Sequence, residues 1–187
     1  TQHIDERLFV RIKRELGIAS SAPKIQAKIK IQQESFTLLG IDALSEFSIQ
    51  RQTVKLGKNA LPRLLQTTNG VIMSGHAATR LGLKVGESFP VDYQRSPLTL
   101  NLSSTIDPQT SVSSDNLIVT DIAIAQHLLD RRGELDHIDL KLSDLQSREL
   151  ADWLPPAYRL IDAQARNTGL LAMSKAFHTN LTAMSLL

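Results

Sequence analysis

The chain contains no cysteine. That excludes a disulfide framework, thiolate metal sites and cysteine nucleophiles, and leaves the redox compartment open. Aromatic residues make up only 4% of the 187 residues, which leaves little from which to build stacking platforms for single-stranded nucleic acid. No run of 18 uninterrupted apolar residues occurs, so no segment of the sequence reads as a bilayer-spanning helix. Acid is absent between Phe47 and Gly86, where six bases stand: Arg51, Lys55, Lys58, Arg63, Arg80 and Lys84. From Glu134 to Asp162 the balance reverses, with seven acids (Glu134, Asp136, Asp139, Asp144, Glu149, Asp152 and Asp162) against Lys141, Arg148 and Arg159. The ordinary reading of the basic stretch is a solvated surface; the functional one is a face toward anionic lipid or an acidic partner.

What is present suffices for a core. Leu, Ile, Val and Phe form about 30% of the chain, well above the level at which chains stay disordered. The length fits one domain, or one domain carrying an inserted lobe. The chain begins Thr1-Gln2-His3 and stops on Leu186-Leu187 in mid-pattern, and the expectation is a part cut from something longer.

Residues 4–16 place Ile4, Leu8, Phe9, Ile12 and Leu16 at helical spacing, with Gly17 as the stop. The period then changes. Ile25, Ala27, Ile29 and Ile31 alternate with polar residues, and a turn at Gln33-Glu34-Ser35 leads into a second strand from Phe36 to Ile41, giving a hairpin. The stretch 43–69 reads as a long connection or a short helix. Short strands are expected at Val71–Met73, Ser88–Val91, Leu98–Leu102 and Leu117–Val119, with small helices from His76 to Leu83 and from Asp121, as N-cap, to Leu129. In the last third Ile138, Leu140 and Leu142 alternate, and Ser143 with Gln146 has capping-box spacing for a helix to Trp153, ended by Pro155-Pro156. Tyr158–Ile161 reads as a strand, followed by a long amphipathic helix over 163–187. The sum is a mixed α/β (α+β) fold: residues 1–43 with 134–187 form one α/β subdomain from both chain ends, and 44–133 form an inserted β-rich subdomain.

Four patterns in the chain bear on chemistry. Ser21-Ala22-Pro23-Lys24 with Ser114-Asp115-Asn116 imitates the Ser-x-x-Lys and Ser-Asp-Asn elements of penicillin-recognising serine enzymes. That chemistry needs serine and lysine one helical turn apart, whereas Pro23 stands between them, a strand pattern begins at Lys24, and no Lys-Thr-Gly follows. The five histidines (His3, His76, His127, His137, His178) are dispersed; only His127, Asp130 and His137 could converge on a metal. Gly82 to Gly86 is followed by Glu and Ser rather than Lys and Ser/Thr, and reads as a turn, not a phosphate loop. Asn101-Leu102-Ser103 and Asn180-Leu181-Thr182 match glycosylation sequons, a common chance pattern. Trp153 reads as a packing anchor. No catalytic, cofactor-binding or metal residue is assigned, and the residues favour a binding or mechanical module over an enzyme.

Three stretches carry a resemblance. Gly70-Val71-Ile72-Met73-Ser74 runs through Ala77 and Ala78 to Leu81-Gly82 and on to Gly86-Glu87-Ser88-Phe89. Leu117-Ile118-Val119-Thr120-Asp121-Ile122-Ala123 runs into Ala125-Gln126-His127-Leu128-Leu129, and the chain ends Ala176-Phe177-His178 to Leu186-Leu187. Together they resemble the large extracytoplasmic domain between the first two membrane helices of FtsX-like, or MacB-type, ABC-transporter permeases. The resemblance implies a porter-like α/β subdomain with an inserted β-rich subdomain. It places the domain on the periplasmic side of a bacterial inner membrane, with apolar spans expected on both flanks. It implies a cytoplasmic ABC ATPase as a separate subunit and a second permease copy or paralogue. A periplasmic partner, lipid or lipoprotein would be moved or activated; no cofactor and no nucleic acid are implied. The alternatives are a soluble periplasmic binding or scaffold module and, from the serine pattern, a hydrolase.

Overall fold

The computed structural model describes residues 3–42, 45, 60–106 and 115–161. The chain divides into two units, 1–146 and 147–187. In the first, β1 (Ile4–Asp5) precedes α1 (Glu6–Glu15), and β2 (Ser21–Ile31) forms a hairpin with β3 (Glu34–Ile41). Then come α2 (Ala60–Gln66), β4 (Gly70–Ser74), α3 (Gly75–Leu81), β5 (Ser88–Tyr93), β6 (Ser96–Ile106) and β7 (Leu117–Asp121). The chain continues through α4 (Ile122–Leu128), β8 (Glu134–Leu135), β9 (His137–Leu140) and α5 (Asp144–Trp153).

The main sheet runs β3-β7-β4-β6-β5-β2-β9 and closes on itself, because β2 also pairs with β3. One edge of β2 takes β3 in an antiparallel ladder from Lys24↔Ile41 to Ile31↔Glu34. Its other edge is shared: β9 pairs with residues 21–24, and β5 meets it only at Lys30↔Asp92. β3 lies parallel to β7, and β4 parallel to β6. Strands from both expected subdomains thus join one sheet, through β3 against β7.

Alternation sets what each strand buries. Ile25, Ile29, Ile31, Phe36, Leu38, Val71, Met73, Phe89, Val91, Leu100, Leu102 and Ile118 face one core, together with Ala77 and Leu81 of α3 and Ala125 of α4. β4 is buried on both faces; its reverse side, at Ile72, packs with Ile106 of β6 and Leu64 of α2. Buried hydroxyls satisfy its carbonyls: Thr120 Oγ1 donates to Gly70 O at 2.7 Å and Ser103 Oγ to Val71 O at 2.9 Å. Ser103 is the extra residue where the β4–β6 register shifts, so the bulge supplies the donor.

Local signals mostly act where the sequence places them. Asp121 caps α4 by accepting from Ala123 N, Ser74 caps α3 by accepting from Ala77 N, and Gly82 ends α3 in the left-handed region at φ +69°. Ser143 and Gln146 exchange both bonds of a capping box, at 3.3 and 3.0 Å. The hairpin turns one residue earlier than expected: Gln32 and Gln33 take φ +47° and +72°, the paired positive values of a tight turn that matches strand twist. α1 starts at Glu6, not Ile4, because Ile4 and Asp5 pair with Leu135 and Glu134 of β8 and Asp5 becomes the N-cap.

One expected strand is absent. Residues 158–161 are irregular: Tyr158 N closes a turn on Pro155 O at 3.0 Å, and Leu160 and Ile161 stand 37% and 63% exposed. Four apolar-leaning residues after two prolines have the composition of a strand but no neighbouring ladder among the described residues. The expected helix over 163–187 lies outside the described residues, as does most of the stretch 43–69, of which α2 confirms the short helix.

Candidate functional site

The serine pattern does not assemble. Ser21 and Lys24 both lie in β2, a strand, where three residues' separation puts side chains on opposite faces. Ser21 Oγ is fully buried and donates to Ile18 O at 3.2 Å, while Lys24 Nζ forms an ion pair with Asp139 at 2.7 Å. Asp115 accepts from Ser74 Oγ at 3.0 Å, and Asn116 Oδ1 accepts from Arg80. Ser114 lies outside the described residues. The Ser21 hydroxyl is thus spent on a backbone carbonyl rather than on a base.

Among the described residues no group of three or more His, Cys, Asp or Glu is placed to hold a metal ion. His127 Nδ1 faces Arg132 at 3.1 Å, His137 Nε2 lies 3.9 Å from Asp139, and His76 Nδ1 lies 4.0 Å from Asp115. Gly82 to Gly86 is the turn its sequence suggests, with Lys84 N donating to the Glu87 carboxylate at 2.8 Å and Gly86 N to Leu102 O at 2.7 Å. Asn101 of the first sequon lies in β6 with its amide bonded to Thr68 O. Of the basic stretch, Arg63 and Lys84 are exposed, whereas Arg80 is held by Glu34 at 3.1 Å over the Phe36 ring; Arg51, Lys55 and Lys58 lie outside the described residues.

The densest polar cluster is one the sequence does not advertise. Arg131, just after α4, makes two parallel bonds to Asp136, from Nη2 to Oδ1 at 2.8 Å and from Nη1 to Oδ2 at 3.2 Å. Both side chains are only 13% exposed. Asp136 Oδ2 also accepts from Gln26 N at 2.6 Å, and Asp136 N donates to Lys24 O at 2.9 Å. His3 Nδ1 lies 2.5 Å from Arg131 Nη2 and 3.2 Å from Asp136 Oδ1. One nitrogen cannot serve both: unprotonated it accepts from the guanidinium, protonated it donates to the carboxylate. Gln126 Nε2, nearly buried, donates to Glu6 at 3.3 Å and to Glu134 O at 3.2 Å, and Glu6 N donates to Gly133 O at 2.8 Å.

Electrostatics in this cluster run against burial. Desolvation alone pushes the Asp136 carboxyl up; the bonds from Arg131, from Gln26 N–H and from His3 outweigh it and hold the group below the ordinary carboxylate value. Desolvation likewise pushes Arg131 down, and its bonds to Asp136 and Glu134 more than restore it. The arrangement is a fully engaged ion pair with no open coordination position. It can hold segments together.

The comparisons bear on this fold directly. No family model matches the chain. Over 98% of its length the chain is 30% identical to part of an uncharacterized ABC transporter permease protein of Mycobacterium tuberculosis. The match spans about a fifth, 22%, of that relative. The extracellular domain of the noncanonic ABC-type transporter YknZ, from Gram-positive bacteria, superposes with a TM-score of 0.56 at 14% identity, over 86% of this chain and 90% of that one. In sequence the chain resembles a stretch of an ABC transporter permease, and in fold the extracellular domain of YknZ. The periplasmic region of MacB from Actinobacillus actinomycetemcomitans aligns at a lower TM-score of 0.44, with 13% identity, over 96% of this chain and 75% of that one. Among the described residues no helix is long and apolar enough to cross a membrane. The described residues present a closed sheet, small capped helices and a largely buried ion pair. Nothing in the composition signalled the ion pair: Arg131 and Asp136 look like ordinary surface charges beside Gly133.

Proposed function

We propose that the chain is the extracytoplasmic domain of an ABC-type permease, and that it passes movement of flanking membrane helices to a periplasmic event, export or activation of a partner. The observation that supports this best is the alignment of 98% of the chain with one stretch of a permease, joined to the YknZ-like fold. ATP would be hydrolysed on a separate cytoplasmic subunit, and the permease would work beside a second copy or a paralogue. A lipid, a lipoprotein or a periplasmic protein would be the object moved or activated. The chain's own contribution is mechanical. A helix rises about 1.5 Å per residue and bends little, so helices entering at the two chain ends could carry a membrane displacement into the domain. Within this reading 1–43 with 134–187 act as the porter-like part and 44–133 as the insert. Because β3 and β7 share a ladder, relative movement of these parts has to bend that pairing rather than swing on a free linker.

The chain has no cysteine, which makes the sidedness testable. Val85 is 49% exposed on the turn after α3. In the full-length protein, with any other cysteines replaced, Val85→Cys is expected to react with a membrane-impermeant maleimide added to intact spheroplasts. Adding ATP-trapping conditions to the permease reconstituted with its ATPase is expected to change the labelling rate. Labelling only after lysis would overturn the placement. Recovery of the unprocessed full-length protein in the soluble periplasmic fraction would favour the soluble scaffold module instead.

A further inference from the structure

We propose that the Asp136 carboxylate is a clasp through which the N-terminal segment, residues 3–6, and the open edge of β2 are released together. The segment is held lightly. Two residue pairs join β1 to β8, Ile4↔Leu135 and Asp5↔Glu134, and no residue from 3 to 6 is fully buried. Apart from the Asp5–Arg7 bonds at the start of α1, its polar attachments among the described residues reach the short stretch 126–136: Glu6 N to Gly133 O, Gln126 to the Glu6 carboxylate, and His3 to the Arg131–Asp136 pair. A pairing of two residues, in which only Leu135 is fully buried, opens at little cost.

The same stretch grips β2 where β2 lacks a strand. Between residues 21–24, which pair with β9, and Lys30, which pairs with Asp92, the outer edge of β2 has no ladder partner among the described residues. Side chains stand in for one: Gln26 N donates to Asp136 Oδ2 at 2.6 Å, and Gln26 O accepts from Arg131 Nη1 at 3.5 Å. The two oxygens of Asp136 divide the work, Oδ1 toward His3 and Arg131, Oδ2 toward Gln26 and Arg131. A carboxylate is rigid and planar, so pulling His3 away from Oδ1 and turning the group also weakens the bond at Oδ2. The segment and the strand edge then have one fastening, not two. In the context of the proposed permease this fastening would lie where the chain enters the domain; that significance rests on the proposed function, while the coupling itself is a property of this chain.

Backbone hydrogen exchange on the 187-residue chain, read residue by residue by NMR at one fixed pH, tests it. His3→Ala removes a side chain that has no bond to Gln26. The clasp requires that the Glu6 and Gln26 amides both exchange at least about tenfold faster in this variant, with β2–β3 ladder amides such as Ile29 unchanged as proof of an intact fold. Asp136→Asn, which keeps the shape but not the charge, is expected to move the same two amides in the same direction. Faster exchange at Glu6 with Gln26 at its wild-type rate would overturn the clasp. The sidedness experiment above can fail without changing this result, and the reverse, so the two inferences fall separately.

Discussion

Asp136 concentrates at one residue an effect that pH can read. Its carboxyl is held below the ordinary value despite burial, because Arg131, the Gln26 N–H and His3 all stabilise the charged form. A carboxyl depressed in the folded state contributes stability that is complete above the unfolded value, about 3.9, and disappears as pH falls through the lower folded value. Asp136→Asn should therefore cost about 1–3 kcal/mol near neutral pH, since it strips a largely buried guanidinium of its charged partner. As pH falls below the unfolded value toward the lower folded one, the difference from wild type should shrink, because the stability supplied by the charged carboxylate is lost over that window. Urea unfolding at pH 7 and pH 3 measures both numbers; an equal loss at the two pH values would show that charge is not what the residue supplies. Asp5 shows the exposed counterpart: bonds from the Arg7 side chain and N–H bring its carboxyl down to about 2, but at a solvated helix start. None of this was legible in sequence. The capping partners Ser143 and Gln146 are three apart and announce themselves, whereas His3 and Gln26 are 133 and 110 residues from Asp136. The acid-rich stretch 134–162 was visible as composition, yet composition does not say that two of its acids bond one arginine, Asp136 from a largely buried position.

Elements follow the sequence where the burial period is clean and depart from it where contact decides. β2 and β3 alternate, and the hairpin forms as the alternation demands. Tyr158–Ile161 has similar apolar content and no ladder, so it stays irregular. The seating of α4 on β3 is another contact the sequence hides. A side chain added at Gly40 would place its Cβ 2.5 Å from the Cβ of Ala125 and 2.6 Å from Ile25 Cγ2, with the Ile122 backbone at 3.3 Å. Gly40 and Ala125 are both small because the helix and the strand approach that closely. Gly40→Ala should push α4 outward and destabilise the fold by about 1–3 kcal/mol, the range for overpacking a tight interior. Chemical denaturation reads the loss directly. A change below about 0.5 kcal/mol would mean that α4 can slide without cost. From the sequence Gly40 was just a residue near the end of a strand, with no turn or positive φ to explain it.

At the scale of the whole sheet, the order of strands turns a hairpin and several short pieces into a closed surface, and closure is unequal around the ring. The β2–β3 ladder has eight residue pairs, whereas β2 meets β5 at Lys30↔Asp92 alone. Pro90, two residues before Asp92, can donate no backbone bond to extend that contact. The seam between β2 and β5 is thus where the ring should open first, since local opening begins where few backbone bonds must break. Individual strands were readable from their apolar periods; the seam was not, because it depends on which distant strands end up adjacent and on how far they overlap. Directly opposed residues in an antiparallel pair have Cα atoms about 4.5–5.5 Å apart, within the span a disulfide bridges. Both positions are solvent-exposed, and the chain has no other cysteine to mispair. Lys30→Cys with Asp92→Cys, oxidised, should raise stability by about 2–4 kcal/mol over the reduced form by closing a long loop. That gain alone would not locate the opening. The decisive reading is residue-resolved hydrogen exchange: in the reduced protein β5 amides should exchange more readily than those of the β2–β3 ladder, and oxidation should bring them level. If β5 is already as protected as that ladder before the bridge forms, the ring has no weak seam, and any movement of the domain must bend the sheet as one piece.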